Sequence, residues 1–350
     1  MSCNKPLFRV EQSKLTISAS HLPYIVNGGV IFSQDQYDRF INDFRIDPRD
    51  CVKIPCGSCL GCRLAYSKQW AIRCMLEAQY HSNNYFVTLT YSDSFLPRGN
   101  YLDMADSFAV KDSSLHLPDV QNFLKRLRTN AKREFNHEGI RVFYSGEYGE
   151  LYDRPHYHLI LFNMPKLDLT LLRSNGSYNY YRSSFLEEAW SDRGISMGYV
   201  TVTDFCFETA AYVARYMLKK QKGQIVKEAK SMDLPDDFSI RTNPFAHQSR
   251  KPGLAYSYFK DHSFDIYLNG TDDIMYSKQF EVFHSKPPRY FDRLFDGEFP
   301  GFDIILDEIK DRRQDKAFAA LSTLPLDQFD YLNKEEERLQ RKERRKKVIL

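Results

Sequence analysis

Two apolar stretches, residues 140–145 and 155–162, are rich in β-branched and aromatic side chains and flank a turn-rich segment at 146–154. That is the pattern of a β-hairpin. It constrains the chain more than any other feature, because an antiparallel pair fixes which residues share a sheet face. Residues 85–91 and 198–203 read as two further strands. The clearest helix runs from Leu117 to Arg133: Val120, Phe123, Leu124 and Leu127 fall at i, i+3, i+4 and i+7, with Pro118 near the start. Residues 64–80 read as an amphipathic helix with Trp70, Cys74 and Ala78 on one stripe, and residues 208–220 as another. Residues 92–114 read as a long polar connection. Strands and helices in this mixed order predict an α+β fold, a central antiparallel sheet with helices packed on one face.

His156 and His158 lie two apart on the second hairpin strand, so both imidazoles face the same way. Such a pair grips a divalent ion when a third ligand is near, and Glu147 and Glu150 in or beside the preceding strand are the candidates. An isolated pair of this kind is more often a hydrogen-bonded core feature than a metal grip. In the 208–220 helix, Ala210, Val213, Ala214, Met217 and Leu218 fall on one side, and Tyr212, Tyr216 and Lys219 on the other. A phenol titrating near ~10 is a poor nucleophile at neutral pH, and a neighbouring cation favours its phenolate. Together the two groups describe one reaction. A metal (Mg2+ or Mn2+) on the histidines polarises a phosphodiester, and a tyrosine attacks phosphorus to leave a 5′-phosphotyrosine and a free 3′-OH. Paired phenols allow a second transfer, for which simple hydrolysis has no need.

The ordered set Phe86-Val-Thr-Leu-Thr-Tyr91, Arg154-Pro-His-Tyr-His158 and Tyr212-Val-Ala-Arg-Tyr216-Met-Leu-Lys219 resembles the three motifs of the HUH endonucleases. It is most similar to the replication initiators of the small single-stranded DNA phages, the microviruses of the gokushovirus branch. Pro55-Cys-Gly-Ser-Cys59, Phe123-Leu-Lys-Arg-Leu-Arg128, Gly146-Glu-Tyr-Gly149 and Lys251-Pro-Gly253 extend the resemblance over roughly residues 51–293. It implies a ferredoxin- or RRM-like HUH domain that initiates rolling-circle replication by nicking one origin strand and rejoining the displaced strand into a circle. By motif match it assigns His156 and His158 to the metal, Tyr212 and Tyr216 to the nucleophiles and Lys219 to the scissile phosphate. Glu147 is preferred over Glu150 as third ligand. The implied partners are single-stranded and supercoiled duplex phage DNA at the origin, with a host helicase and DNA polymerase, in the cytoplasm of the bacterial host.

Cys51, Cys56, Cys59 and Cys62 crowd one short segment. Clustered thiols in a reducing compartment point to a metal, with zinc preferred over an iron–sulfur cluster. The 117–133 helix carries five cations against two acids, among them Lys125, Arg126 and Arg128. Residues 338–347 carry seven cations against one acid. With Arg215 and Lys220 around Tyr216, these are the candidate phosphate contacts. The formal net charge of +3 on 350 residues is therefore a cancellation of patches, which excludes a uniformly basic coat. A hydrophobic fraction of 42% and 15% aromatics exclude a disordered chain. No stretch is apolar enough to span a bilayer, the N-terminus lacks a signal-peptide core, and no Walker-type phosphate loop is present. Four segments follow: 1–63 with the cysteines, 64–222 the nuclease domain, 223–330 its extension, and 331–350 a basic helix or tail. The rival readings are a two-tyrosine transposase or plasmid relaxase, and a DNA-binding or packaging protein without catalysis.

Overall fold

A computed structural model of the chain describes residues 3–11, 13, 25–26, 29–47, 50–103, 109–149, 151–176, 178–216, 238–278, 281–322 and 328–347. Two compact units result where the sequence suggests four segments: residues 1–66 with 307–350, and residues 67–306.

In the first unit, strands β1 (Leu7–Glu11), β2 (Ile25–Val26), β3 (Gly29–Ser33) and β4 (Val52–Ile54) form an antiparallel sheet in the order β2-β3-β1-β4. Phe8, Val10, Val30 and Phe32 alternate inward and pack with Phe40 of helix α1 (Tyr37–Asp43) and with Ile46. Helix α2 (Leu60–Ala78) begins in this unit and continues into the second. The terminal helix Gln328–Lys347 joins the first unit through buried Leu332, whose carbonyl accepts from Asn4 Nδ2 at 3.3 Å.

The second unit is built on a seven-stranded antiparallel sheet. Its strands include β5 (Tyr85–Thr90), and a polar hairpin off this sheet supplies β6 (Arg98–Asp103) and β7 (Ala109–Ser113). Then come α3 (Leu117–Phe135), β8 (Arg141–Tyr148), β9 (Pro155–Phe162), β10 (Thr170–Ser174), β11 (Asn179–Arg182) and α4 (Ser184–Ala189). A two-residue pair, β12 (Ser191–Asp192) and β13 (Ile195–Ser196), precedes β14 (Val200–Asp204) and α5 (Phe207–Tyr216). Strand β15 (Phe238–Ile240) pairs with β6, and β16 (Phe245–Gln248) closes the main sheet, whose order is β10-β11-β14-β5-β9-β8-β16.

Period-two alternation divides the sheet into two faces. Val87, Leu89, Val142, Tyr144, Tyr157, Leu159, Leu161 and Val202 turn to one side, where Val120, Phe123, Leu124 and Leu127 of α3 and Phe185 and Leu186 of α4 cover them. Phe86, Phe143, Ile160 and Phe162 turn to the other, under Trp70, Ala71 and Cys74 of α2 and Ala210, Val213 and Ala214 of α5. Helices thus cover both faces, not one as expected. Strands β8 and β9 are apolar on both sides, and a strand buried on both sides needs a cover on each.

Hydrogen bonds anchor α2. Arg73 donates to the Leu254 carbonyl at 3.1 Å and lies between the rings of Trp70 and Tyr290. Buried Glu77 accepts from Arg141 and, at 2.7 Å, from the Ala255 amide. Residues 92–114, expected to be a connection, contain the β6–β7 hairpin. Its residues alternate without a clear apolar face, so the sequence carries no period-two signal there.

Candidate functional site

The β8–β9 and β5–β9 registers set the site. Glu147 stands opposite His156, Ser145 and Thr88 opposite His158, and Thr90 opposite His156. All of these share the face covered by α2 and α5. Alternation therefore aims two imidazoles and a carboxylate at one point.

Glu147 Oε1 lies 2.9 Å from His156 Nε2 and 2.8 Å from His158 Nε2. Tyr212, on the first described half of the long helix expected here, donates its hydroxyl to the same oxygen at 3.3 Å. Its ring packs edge-on to His158, with centroids 5.0 Å apart. The helix turns as the sequence predicts: Ala210, Val213 and Ala214 are fully buried and Tyr212 is half-buried beside them.

The ring nitrogens turned away from the cluster are also held. His156 Nδ1 is 3.1 Å from the Arg154 carbonyl, an acceptor only, so that nitrogen carries the proton. His158 Nδ1 is 3.0 Å from Thr88 Oγ1. In a neutral His156 the Nε2 lone pair then faces a carboxylate oxygen, an arrangement that asks for a cation or a proton between them. Two more observations fit a divalent ion with oxygen and imidazole ligands. Glu147 Oε2 and Ser145 Oγ, two apart on β8, are buried with no hydrogen-bond partner among the described residues. Glu147, His156 and His158 also each offer a ligand atom within 4.8 Å of the others. Burial raises the Glu147 carboxyl, but the bonds from His156 and His158 outweigh it and leave it below its ordinary value. Burial holds His158 below the usual imidazole range against the opposing pull of Glu147.

Tyr157 between the two histidines faces the opposite side. Its hydroxyl donates to the His116 carbonyl and receives the His116 amide, each at 2.9 Å, which clamps the start of α3. The side chains of Arg215 and Tyr216 and the whole of Lys219, Lys220 and Glu150 lie outside the described residues. Lys125, Arg126 and Arg128 are not brought to this site, because α3 covers the other face of the sheet. Lys125 is exposed, while Arg126 donates to the Ala189 carbonyl at 2.8 Å and Arg128 to the Ile140 carbonyl at 3.3 Å. Arg126 and Arg128 tie elements together instead of standing ready for a ligand. Thr88 was missed by sequence reasoning; its place in the first ordered motif, two residues before Thr90, was the available signal.

The cysteines gather differently from the expectation. Cys3, Cys56, Cys59 and Cys62 converge, with their sulfurs within 4.8 Å of one another. Cys51 is not among them: it precedes β4 and packs on the apolar cluster of Phe8, Phe32 and Phe40. Four ligands in one short loop leave no room for mutual approach, and strand pairing brings Cys3 in its place. Burial pushes the Cys56 thiol up, but the amides of Cys59 and Ser58 and the Ser58 hydroxyl outweigh it and bring it down to about 6.

An antiparallel sheet that presents two imidazoles, a carboxylate and a phenol at one point defines an α+β protein with a candidate metal centre. The chain belongs to the family of microvirus replication-associated proteins, and residues 84–221, which hold this centre, match the family of the replication-associated protein ORF2. It is 30% identical over 345 residues to the replication-associated protein ORF2 of Spiroplasma virus 4, covering 97% of this chain and 95% of that one. It is 30% identical over 198 residues to the replication-associated protein VP4 of Bdellovibrio phage phiMH2K, covering 55% and 54%. Against the replication-associated protein ORF4 of Chlamydia phage 1 it is 30% identical over 191 residues, covering 52% and 43%. No solved structure is significantly similar to the chain. Among the described residues no helix is long and apolar enough to cross a membrane.

Proposed function

We propose that this chain initiates rolling-circle replication by cutting one DNA strand at the phage origin and holding the 5′ end on a tyrosine. The observation that carries the reading is the meeting of Glu147, His156, His158 and the Tyr212 hydroxyl at one point on the sheet. Family membership supports the replication role, and the site supports the chemistry.

Glu147, His156 and His158 would hold Mg2+ or Mn2+, which when bound polarises the phosphodiester and offsets charge on the departing 3′ oxygen. The Arg154 carbonyl and Thr88 keep the two imidazoles turned so that both Nε2 atoms face the centre. Helix α5, locked on the sheet by Ala210, Val213 and Ala214, holds the Tyr212 oxygen beside them, so attack needs little reorganisation. The Tyr212 oxygen forms a bond to phosphorus as the P–O3′ bond breaks. The phenolic proton leaves to solvent and the 3′ oxygen gains one, so the ester bond is conserved for rejoining. Tyr216, one helical turn on, would carry out the second transfer, and Lys219 would meet the phosphate. Arg215 and Lys220 would hold the strand on either side.

Incubation with origin-bearing supercoiled DNA and Mn2+ is the test. Wild type is expected to give nicked circles and a protein–DNA adduct that resists denaturation. Glu147→Gln, or Tyr212→Phe combined with Tyr216→Phe, is expected to give neither. An adduct that persists in the double tyrosine variant would overturn the nucleophile assignment, and absence of nicking by the wild type would overturn the enzyme.

A further inference from the structure

We propose that Cys3, Cys56, Cys59 and Cys62 bind one Zn2+ in a closed four-thiolate site that ties the N-terminal strand to the first turn of α2. The site is independent of the histidine centre and has a structural task.

Strand pairing explains why these four meet. β1 and β4 run antiparallel with Leu7 opposite Ile54 and Arg9 opposite Val52. Extending that register past the strand ends sets Cys3 beside Ser58, midway along the Cys56–Cys62 segment. Asn4 secures the crossing, since its amide donates to Cys59 Sγ at 3.2 Å and its side-chain oxygen accepts from the Gly61 amide at 2.9 Å. Gly57, at φ +75°, supplies the left-handed residue that folds the segment back on itself.

The sulfurs are arranged as ligands. Tetrahedral coordination at a Zn–S distance of ~2.3 Å puts neighbouring sulfurs roughly 3.8 Å apart. Cys3 Sγ and Cys59 Sγ are 3.8 Å apart, and all four lie within 4.8 Å of one another. A disulfide would need the much shorter S–S separation of ~2.05 Å. The core of a four-iron cluster would hold the thiolates farther apart than this. Backbone amides also point at the sulfurs: Cys56 to Cys3 at 3.3 Å, Cys59 to Cys56 at 3.3 Å, and Cys62 to Cys59 at 3.4 Å. Such bonds favour thiolate over thiol and offset the negative charge a four-thiolate site carries. Binding releases the thiol protons to solvent, and with four protein ligands no position remains for substrate, which is why the role is structural.

The full-length chain, purified without added metal and dialysed against EDTA, is analysed for bound metal. One zinc per chain is expected, retained by Cys51→Ser and by His158→Ala and lost from Cys3→Ser. Wild type that contains no zinc, or iron in its place, would overturn the proposal, as would Cys3→Ser that keeps zinc or Cys51→Ser that loses it. Because Cys3→Ser risks misfolding, Co2+ exchanged into the wild type gives a second reading. Intense thiolate charge-transfer and tetrahedral d–d bands of a four-sulfur set are expected, and bands of three or fewer thiolates would sink the assignment. Retention of zinc by His158→Ala keeps the outcome separate from that of the nicking experiment.

Discussion

Glu147 is 2% exposed, with one oxygen shared by two imidazoles and a phenol and the other without a hydrogen-bond partner among the described residues. In metal-free protein its pH behaviour and that of His158 have the same sign. Burial lowers His158 from its ordinary 6.5, so its contribution to stability is complete above that value and drains away as the pH falls toward the folded value. Glu147 is raised by burial but lowered further by the histidine bonds, to below its ordinary 4.5, and adds a second loss below that pH. The melting temperature in EDTA is therefore expected to fall on acidification through 6.5, and His158→Gln to flatten the upper part of that fall. A melting temperature that rose over the same interval would contradict the arrangement. The two histidines and Tyr212 were legible as residues because strand and helix periods are local. Glu147 was legible only as a choice between two carboxylates, since the register of the hairpin decides which one stands opposite His156.

At the scale of elements, β5 and β14 meet through an approach that only glycine permits. A Cβ on Gly198 would collide with the carbonyl oxygen of Thr90 and the amide of Ser92, and backbone atoms cannot turn aside as a side chain does. Gly198→Ala is expected to cost about 1–3 kcal/mol as an overpacking change, read from the urea unfolding midpoint, with the end of β5 the first segment to lose amide protection. An unchanged midpoint would mean that the β13–β14 link moves freely. The apolar strands and α3 were readable because each buries a periodic face. The β6–β7 and β10–β11 hairpins were not. Every residue of β10 is exposed, and a strand with no buried face leaves no alternation in the sequence.

At the scale of the molecule, the N-terminal segment and the terminal helix share one compact unit although they lie at opposite ends of the chain. Leu332 is buried and holds Asn4, while the cations past it form a run whose charge is sequence-independent in its attraction to phosphate. Truncation after Gln340 removes six cations and leaves Leu332 in place. It is expected to weaken DNA binding at low salt and to shallow the slope of log affinity against log salt by about 0.9 for each duplex phosphate no longer neutralised, with the fold unchanged by circular dichroism. An unaltered slope would remove the tail from the DNA-binding surface.

The sequence alone determined what depends on near neighbours along the chain: the apolar hairpin, the face shared by His156 and His158, the side of the helix on which Tyr212 falls, and the basic runs. The tertiary structure decided what depends on pairing between distant segments. It chose Glu147 by strand register and sent α3, with Arg126 and Arg128, to the sheet face away from the site. It also replaced Cys51 by Cys3, because an antiparallel pair brings together residues whose positions sum to a constant, and no local spacing reveals that constant.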